Sequence, residues 1–183
     1  MTKKIVLILG VSVFFYGCAL NYTVKPEVFN LSEAGKKIAV LKFSDLRIDK
    51  IKKKYPISTD VMVEKLIAGL SRKGFSVVER KNLEKIMQEQ KLSLSGLVDE
   101  KEAVEIGKLS GAQVVLIGSI NEYQRTIYPK AKLDITIKAV SVEKGVVVNS
   151  LDVKITKSNW FYPLELLNDV IDEAVEKIVN SVN

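Results

Sequence analysis

The side chains that most often carry out enzymatic chemistry are scarce in this sequence. It contains no histidine and a single cysteine, Cys18, which excludes Ser–His–Asp triads, Cys–His pairs and His-ligated zinc sites. No glycine-rich phosphate loop opens a predicted helix, because the Gly-x-x-x-Gly at residues 107–111 ends one. A carboxylate pair stays formally open, but Glu100, Glu102 and Glu105 are better explained as exposed charges favoured by the helix dipole. The sequence therefore predicts a protein that is not an enzyme and that binds no cofactor and no metal.

The chemistry that Cys18 could undergo is set by the residues before it. Two lysines near the start are followed by twelve apolar residues, 5–16, a run too short to cross a membrane as a helix and of the length of a signal-peptide core. Gly17 directly precedes the cysteine. This arrangement resembles a bacterial lipobox, in which residues 1–17 would be removed as a signal peptide and the thiol would be joined to diacylglycerol through a thioether.

Lipidation of Cys18 would determine where the protein resides. Several acyl chains, at roughly 0.8 kcal/mol per buried methylene, hold a protein stably on a membrane. Ala19 stands where inner-membrane lipoproteins often have aspartate, so the expected location is the periplasmic face of the outer membrane. Phe15 and Tyr16 depart from the leucine and small residue that are usual in a lipobox. The alternative is a buried structural cysteine behind an ordinary signal peptide.

The rest of the chain predicts one globular domain behind a tether. Residues 18–35 have little periodicity and are interpreted as a lipidated tether, whereas residues 36–183 suffice for one well-buried domain. The tether aromatics Tyr22 and Phe29 either lie along the surface or pack on another subunit. Without residues 1–17, which hold two lysines, the 28 basic residues fall to 26 against 22 acidic ones. No arginine-rich helix or aromatic-basic platform accompanies this mild excess, so no nucleic acid is expected as a partner.

Residues 77–120 show the most regular pattern, which predicts strand, helix, loop, helix and strand. Asp99 followed by Glu102 has the form of a helix start, the aspartate accepting from free N–H groups and the glutamate reaching back. Gly111 is expected to end that second helix. Residues 114–117 are a continuous apolar run of the length of a fully buried strand. The apolar side of the second helix is predicted to comprise Ala103, Ile106 and Leu109.

The same stretch closely resembles the central signature of the CsgG family. In that family a Glu-Arg after a strand precedes a leucine-containing helix, a Glu-Gln-Lys-Leu segment and a Ser-Gly. A second helix ending Gly-Lys-hydrophobic-x-Gly-Ala then leads into a buried strand ending Gly-Ser. A general strand–helix–strand pattern explains the glycines and valines but not the Glu-Arg or Glu-Gln-Lys-Leu strings. The matching positions are Glu79, Arg80, Leu83, Glu89, Gln90, Leu92, Gly96, Gly107, Gly111, Ala112, Gly118 and Ser119.

The resemblance implies an α/β fold, a single three-layer-like domain with helices packed on a mixed β-sheet, like the CsgG periplasmic domain and the N-terminal domain of TolB. The rest of the pattern agrees with this fold. Strands are predicted at 37–43, 75–79, 133–139 and 147–155, a tight turn at 143–145, and a helix from Ser58 or Thr59 to Lys73. A last helix is predicted after Pro163, with an apolar stripe of Leu164, Leu167, Ile171, Ala174, Val175, Ile178 and Val182.

Residues 44–58 are predicted to form a lysine-rich loop. In pore-forming members of the CsgG family, the corresponding connection lines a constriction at the centre of the ring. By that resemblance the lysines would crowd the lumen, disfavouring cationic cargo and tolerating anionic polymers. The alternative is a solvated run of charge. The candidate lumen residues are Lys50, Lys52, Lys53, Lys54 and Tyr55.

Two segments distinguish this chain from the pore-forming members. Each subunit of those proteins adds two β-hairpins to a shared transmembrane barrel, and a spanning hairpin needs about 20 residues plus its turn. The corresponding segments here are 121–132, with twelve residues, and 152–162, with eleven. Neither is long enough, so the resemblance covers the periplasmic domain and stops short of the barrel.

The resemblance implies an assembly and transport lipoprotein that forms a homo-oligomeric ring, contacts other secretion or envelope-assembly proteins and serves export of a polymer, either curli-like subunits or exopolysaccharide. The missing hairpins make it similar to PelC-type rings. The alternative is an LpoB-like monomeric lipoprotein that binds and regulates a periplasmic cell-envelope enzyme. Such activators typically have long proline-rich linkers, whereas the 17 residues between Cys18 and Lys36 reach at most roughly 60 Å. Self-assembly is the property that separates the two hypotheses.

Overall fold

The computed structural model describes residues 29–31, 36–90, 98–125, 130–158 and 166–182. The strands form one sheet in the order β3-β1-β4-β5-β6, with β2 paired to β4 beyond the end of β1. β3, β1 and β4 are parallel, whereas β4, β5 and β6 are antiparallel neighbours. The predicted α/β fold with a mixed sheet is confirmed. The elements are β1 (Lys37–Val40), β2 (Ser44–Asp45), α1 (Asp49–Lys54), α2 (Thr59–Arg72), β3 (Ser76–Val77), α3 (Arg80–Glu89), α4 (Glu100–Ser110), β4 (Val114–Arg125), β5 (Lys130–Ser141), β6 (Val146–Ser158) and α5 (Leu166–Ser181).

The larger core lies between the sheet and the helices α2 and α5. Successive side chains of a strand point to opposite faces, so alternate residues of each long strand face these helices. The two helices approach closely at Gly69, where a Cβ atom would lie 2.3 Å from Cγ2 of Val179. The Ser58 hydroxyl accepts from the Val61 amide and caps α2, as predicted. Residues of this core include Ile38, Val40, Leu66, Leu70, Leu116, Ile135, Ile137, Leu151, Val170 and Ile178.

The smaller core lies on the other face of the sheet, under α3 and α4. The predicted capping box of α4 is confirmed, since the Asp99 carboxylate accepts from Glu102 N at 2.8 Å and the Glu102 carboxylate accepts from Asp99 N at 3.3 Å. Gly111 ends the helix with φ +66°. The sheet is therefore covered on both faces, which makes three layers. Residues of this second core include Ala39, Leu41, Leu83, Met87, Ala103, Ile106, Val115 and Val140.

Leu109 does not belong to the apolar side of α4, so that part of the prediction is wrong. Its side chain is 51% exposed. The side that faces the sheet is centred on Ala103, Ile106 and Gly107, and Gly107 is so close that a Cβ would lie 2.3 Å from Cγ2 of Val142. Leu109 lies two residues, or about 200°, further around the helix from Gly107.

β5 and β6 form the predicted hairpin around Gly145, which has φ +68°. A β-bulge shifts the register between Ala139 and Val140, which pair with Asn149 and Val147. Val148 is the extra residue, and its side chain packs against the larger core. The prediction that Val147 continues the buried series is therefore wrong, and its side chain is exposed. Beyond the bulge the alternation is confirmed by Leu151, Val153 and Ile155, which are buried.

The packed domain begins before residue 36. Phe29 and Leu31 are fully buried in the larger core, and the Phe29 amide donates to the Ser181 carbonyl at 2.9 Å. The two interpretations of Phe29, as a surface residue or as a contact with another subunit, are therefore wrong. A single aromatic residue in an aperiodic stretch carries no signal of burial, because the core that receives it comes from the far end of the chain.

Several predicted elements have different lengths in the structure. β1 ends at Val40 and β3 has two residues, although Leu41 N still donates to Leu116 O at 3.0 Å. β4 continues to Arg125 and β5 begins at Lys130, so most of residues 121–132 belong to two paired strand ends. α5 also buries Leu166 and Val170, which the predicted stripe lacked. Tyr22, Leu92, Gly96, residues 160–162, Pro163 and Leu164 lie outside the described residues.

Candidate binding surface

The structure places the predicted lumen residues on a helix instead of a loop. α1 (Asp49–Lys54) contains four lysines in six residues and buries none of its side chains. Lys50, Lys53 and Lys54 are exposed, whereas Lys52 is half-buried and lies 3.5 Å from the Asp49 carboxylate. The loop prediction for residues 44–58 is thus wrong in this part, but the lysines are gathered on one element. Cys18 lies outside the described residues.

Local interactions do not favour α1. Its N-cap residue, Ile48, provides no side-chain hydrogen bond, and an isolated helix of this length is unstable in water. Lys50 lies three and four positions before Lys53 and Lys54, so the three like charges share one side and repel one another. The favourable local features are small: Asp49 in the first turn and lysines in the last turn match the helix dipole, and Asp49 pairs with Lys52. Tertiary contacts must therefore hold this helix.

Those contacts come mainly from Arg47, just before α1. Its side chain forms a two-point ion pair with Asp45 of β2, at 2.8 Å from Nε to Oδ1 and 2.7 Å from Nη2 to Oδ2. Nη1 donates to the carbonyls of Tyr55 and Tyr123, each at 2.8 Å. The residue is 6% exposed. Arg47 thus joins β2, the end of α1 and β4, and fixes the lysine helix to the end of the sheet.

Two tyrosines complete this attachment. The Tyr55 hydroxyl donates to the Arg125 carbonyl at 2.9 Å, and the Nζ of Lys54 lies 5.3 Å from the centre of the Tyr55 ring. The Arg47 guanidinium lies 5.3 Å from the centre of the Tyr123 ring, a distance that permits a cation–π interaction. α1 is therefore anchored at its C-terminal end to the last residues of β4.

Two groups at this attachment, the Asp45 carboxyl and the Tyr123 hydroxyl, have pKa values that differ from their usual ones. Burial favours the protonated form of Asp45, but the hydrogen bonds and charge of Arg47, with a smaller effect of Lys52, bring the pKa of Asp45 below its usual value. Burial raises the pKa of the Tyr123 hydroxyl, which the charge of Arg47 partly opposes. The Asp45 carboxylate therefore remains ionised at neutral pH.

The sequence pattern did not predict a role for Asp45, Arg47 or Tyr123. The only local signal is an Asp-x-Arg between an apolar run and the lysines, at residues 45–47. Such a tripeptide is common in exposed turns. Only the distant Tyr123 and its carbonyl turn it into a buried attachment.

A groove of ≈ 360 Å³ lies on the sheet beside α4 and is lined by apolar and charged residues, including Leu46, Ile117 and Thr136. Within it the Lys138 Nζ donates to Glu100 Oε1 at 2.8 Å, and this hydrogen bond is the main reason that the pKa of Glu100 is lowered. Glu100 is thus a paired residue rather than a free charge. No cluster of three potential metal ligands occurs among the residues that the structure describes.

Arg80 of the Glu-Arg signature forms an exposed ion-pair cluster between α2 and α3. It lies 2.7 Å from Asp60, 3.5 Å from Glu64 and 2.9 Å from Glu84. The hydrogen bond from Arg80 is the largest cause of the lowered pKa of Asp60, outweighing the effect of burial. The Arg80 guanidinium is 31% exposed. This signature residue therefore links α2 and α3 through ion pairs.

Gly118 of the signature allows a close contact between strand and ring. A Cβ atom at Gly118 would lie 2.8 Å from the ring of Phe43, which is 1% exposed. Any larger residue would displace Phe43 from the larger core. Gly118 in the glycine–serine that ends the predicted buried strand is thus required by packing.

Comparison with known families identifies one match over most of the chain. A family model described as Curli production assembly/transport component CsgG matches residues 32–162. No curated protein matches the sequence. Within the described ranges, the helices are too short or too polar to cross a membrane.

Solved structures share this fold at low sequence identity, so their likeness concerns the fold alone. Lipoprotein GNA1162 from Neisseria meningitidis matches with a TM-score of 0.58 and 17% identity, covering 80% of this chain and 99% of that chain. A PelC dodecamer from Paraburkholderia phytofirmans has a TM-score of 0.51 and 18% identity, with coverages of 81% and 88%. Escherichia coli LpoB, solved by NMR, has a TM-score of 0.52 and 18% identity, with coverages of 67% and 56%.

Proposed function

This chain belongs to the CsgG family, and from that membership we propose that it is a lipoprotein on the periplasmic face of the outer membrane that works in the export of an extracellular polymer. It acts as a homo-oligomeric ring without membrane-spanning hairpins of its own, held to the membrane by a lipid on Cys18. The observation that carries this proposal is the family match, which spans residues 32–162 and with them every described strand. The role is one of binding and guidance rather than catalysis.

The ring without spanning hairpins is supported by the strand pairing. Arg125 pairs with Ala131 at the end of β4 and β5, and Asp152 pairs with Thr136 within β5 and β6. The described parts of the segments in which pore-forming relatives would insert hairpins, 121–125, 130–132 and 152–158, therefore belong to the domain's own sheet. One solved structure of similar fold is a PelC dodecamer, an assembly of the kind proposed here.

A second candidate is a monomeric regulator that contacts a cell-envelope enzyme. The observation that favours it is the fold likeness to LpoB, whose TM-score of 0.52 is practically the same as the 0.51 of PelC. The fold therefore does not separate an assembling protein from a monomeric one. Quaternary structure does.

The deciding experiment is the mass of the full lipidated chain in detergent, measured by light scattering behind a sizing column with the detergent contribution subtracted. A discrete high oligomer that persists on dilution is expected for the ring. A monomer at every concentration would contradict the ring and favour the regulator.

The lipid on Cys18 has a separate test. Cells that express the wild-type chain or Cys18→Ser are labelled with radioactive palmitate and fractionated. We expect label and outer-membrane recovery for the wild type and loss of both for the variant, with Ala19→Ser as the matched control that keeps both. Equal labelling of Cys18→Ser would refute the anchor.

A further inference from the structure

We propose that the exposed side of α1, formed by Lys50, Lys53 and Lys54, binds a soluble polymer that carries repeated carboxylates. We call these three side chains the α1 basic surface. The inference deepens the proposed function, since it names the chemical class of the polymer. The binding itself depends on the described domain and not on the ring.

The spacing of the three lysines makes them act together. Residues three and four apart on a helix have their Cβ atoms about 5–6 Å apart, which is less than the screening length of about 8 Å at physiological ionic strength. A flexible chain of carboxylates approaching α1 is therefore attracted by all three charges at once. A single small anion would meet only one or two of them.

The α1 basic surface is not neutralised by the protein itself. Across residues 36–90, 98–125, 130–158 and 166–182, no carboxylate lies within ion-pair distance of Lys50, Lys53 or Lys54, and Asp49 is paired with Lys52 instead. Two further cations lie at the same end of the sheet. One is Arg125, whose carbonyl accepts the hydrogen bond from the Tyr55 hydroxyl. The other is the exposed Lys130, which is next to Ala131, the residue that pairs with Arg125 between β4 and β5.

The fold maintains this concentration of charge at an energetic disadvantage. α1 buries no side chain and lacks an N-terminal side-chain cap, so its like charges would separate if the segment were free. The buried Arg47 prevents this by binding the Tyr55 and Tyr123 carbonyls. A solvated run of lysines would need no buried arginine to hold it. A bound polyanion, by contrast, would relieve the repulsion.

The position of α1 in the domain favours a soluble polymer over a lipid surface. α5 begins beside Tyr123, whose hydroxyl donates to the Leu167 carbonyl, and ends beside Phe29. The 16 residues of α5 put about 24 Å between these two ends. α1, attached near Tyr123, thus lies at the end of the domain opposite Phe29, the described residue nearest in sequence to the proposed lipid on Cys18. The exposed Ile48, next to α1, makes a lipid surface the alternative to be tested.

The test measures binding to the full lipidated chain in a neutral detergent. The probes are fluorescent alginate oligosaccharides, which carry one carboxylate per sugar, neutral dextran of similar length, and fluorescent phosphatidylglycerol dispersed in the same detergent. The variant is Lys50→Gln/Lys53→Gln/Lys54→Gln. The matched control is Lys81→Gln/Lys101→Gln/Lys108→Gln, which removes the same charge from exposed positions on α3 and α4.

We expect salt-sensitive binding of alginate, no binding of dextran, and a loss of affinity of at least about tenfold in the α1 variant but not in the control. If both variants weakened alginate binding equally, binding would depend on net charge and not on the α1 basic surface, which would overturn the proposal. Absence of alginate binding, or phosphatidylglycerol binding that alone is lost in the α1 variant, would also overturn it. If the protein forms a ring but binds no alginate, this inference is refuted and the ring is not. If the protein is a monomer that binds alginate through α1, the ring is refuted and this inference is not.

Discussion

Arg47 and Arg80 each organise a cluster of hydrogen bonds, but the two regions differ in depth and in partners. The side chain of Arg47 is 2% exposed and satisfies one carboxylate and two backbone carbonyls. That of Arg80 is 31% exposed and faces three carboxylates that water also reaches. The more numerous ion pairs therefore belong to the arginine whose loss should matter less.

The difference follows from what remains when each guanidinium is removed. Around Arg80 the carboxylates of Asp60, Glu64 and Glu84 are half-exposed and would be hydrated by water. Around Arg47 the Tyr123 carbonyl is buried, and the Asp45 carboxylate is 22% exposed. These groups would lose the guanidinium without gaining full access to water, and Asp45 would keep only the backbone amide of residue 47. Burial, not the number of ion pairs, sets the contribution to stability.

The largest expected effect is that of Arg47→Met. Breaking this buried attachment should lower the free energy of unfolding by about 3 kcal/mol, and it should speed hydrogen exchange of the α1 amides. Denaturant unfolding and hydrogen exchange measure the two effects. The control is Arg72→Met, at an exposed position at the end of α2, which should change neither. A loss below about 1 kcal/mol with unchanged α1 exchange would contradict the role given to Arg47.

A smaller effect is expected for Arg80→Met, about 1 kcal/mol in total for its exposed ion pairs. The difference from wild type should shrink in 1 M salt, where the screening length is about 3 Å. Unfolding curves at low and high salt test this, with Lys85→Met on the same helix as a control expected to be close to neutral. A loss as large as that of Arg47→Met would remove the contrast between the two regions.

Acid titration should sharpen the comparison through Asp45. The pKa of Asp45 is lowered in the folded state despite burial, so its contribution is fully present above the unfolded pKa of about 3.9 and is lost as pH falls through the folded value. Stability of the wild type should therefore decline below about pH 5, and Asp45→Asn should decline less steeply. Free energies of unfolding, measured for the wild type and Asp45→Asn from about pH 5 down to about pH 3.9, test this difference in pH dependence. Parallel curves would mean that Asp45 titrates alike in both states.

The smallest effect is expected for Tyr55→Phe, which removes one hydrogen bond to the Arg125 carbonyl and keeps the ring under Lys54. The loss should be about 0.5 kcal/mol, the low end of the net contribution of a hydrogen bond, and should be confined to α1. Exchange of the α1 amides should rise slightly while α3 exchange stays unchanged. If α3 responded as strongly as α1, the two arginine regions would be coupled rather than independent.

Features that depend on interactions between residues close together in the chain could be predicted from the sequence. The capping box of Asp99 and Glu102, the helix end at Gly111 and the turn at Gly145 were predicted and confirmed, because each involves residues within a few positions of one another. The CsgG signature likewise predicted the fold and the family, since its strings mark a strand–helix–helix–strand unit. The anchor on Cys18 rests on sequence and stays a prediction.

Only the tertiary structure determined α1, the burial of Phe29 and the exposure of Val147. In each case the deciding partner is remote or depends on exact register: Tyr123 for Arg47, Ser181 for Phe29, and a bulge opposite Val140 for Val147. Local propensity favours a solvated loop at 49–54, because like charges repel and no cap is present. The distant Tyr123 carbonyl, which accepts from the buried Arg47, reverses that preference, and no short window of sequence contains both residues.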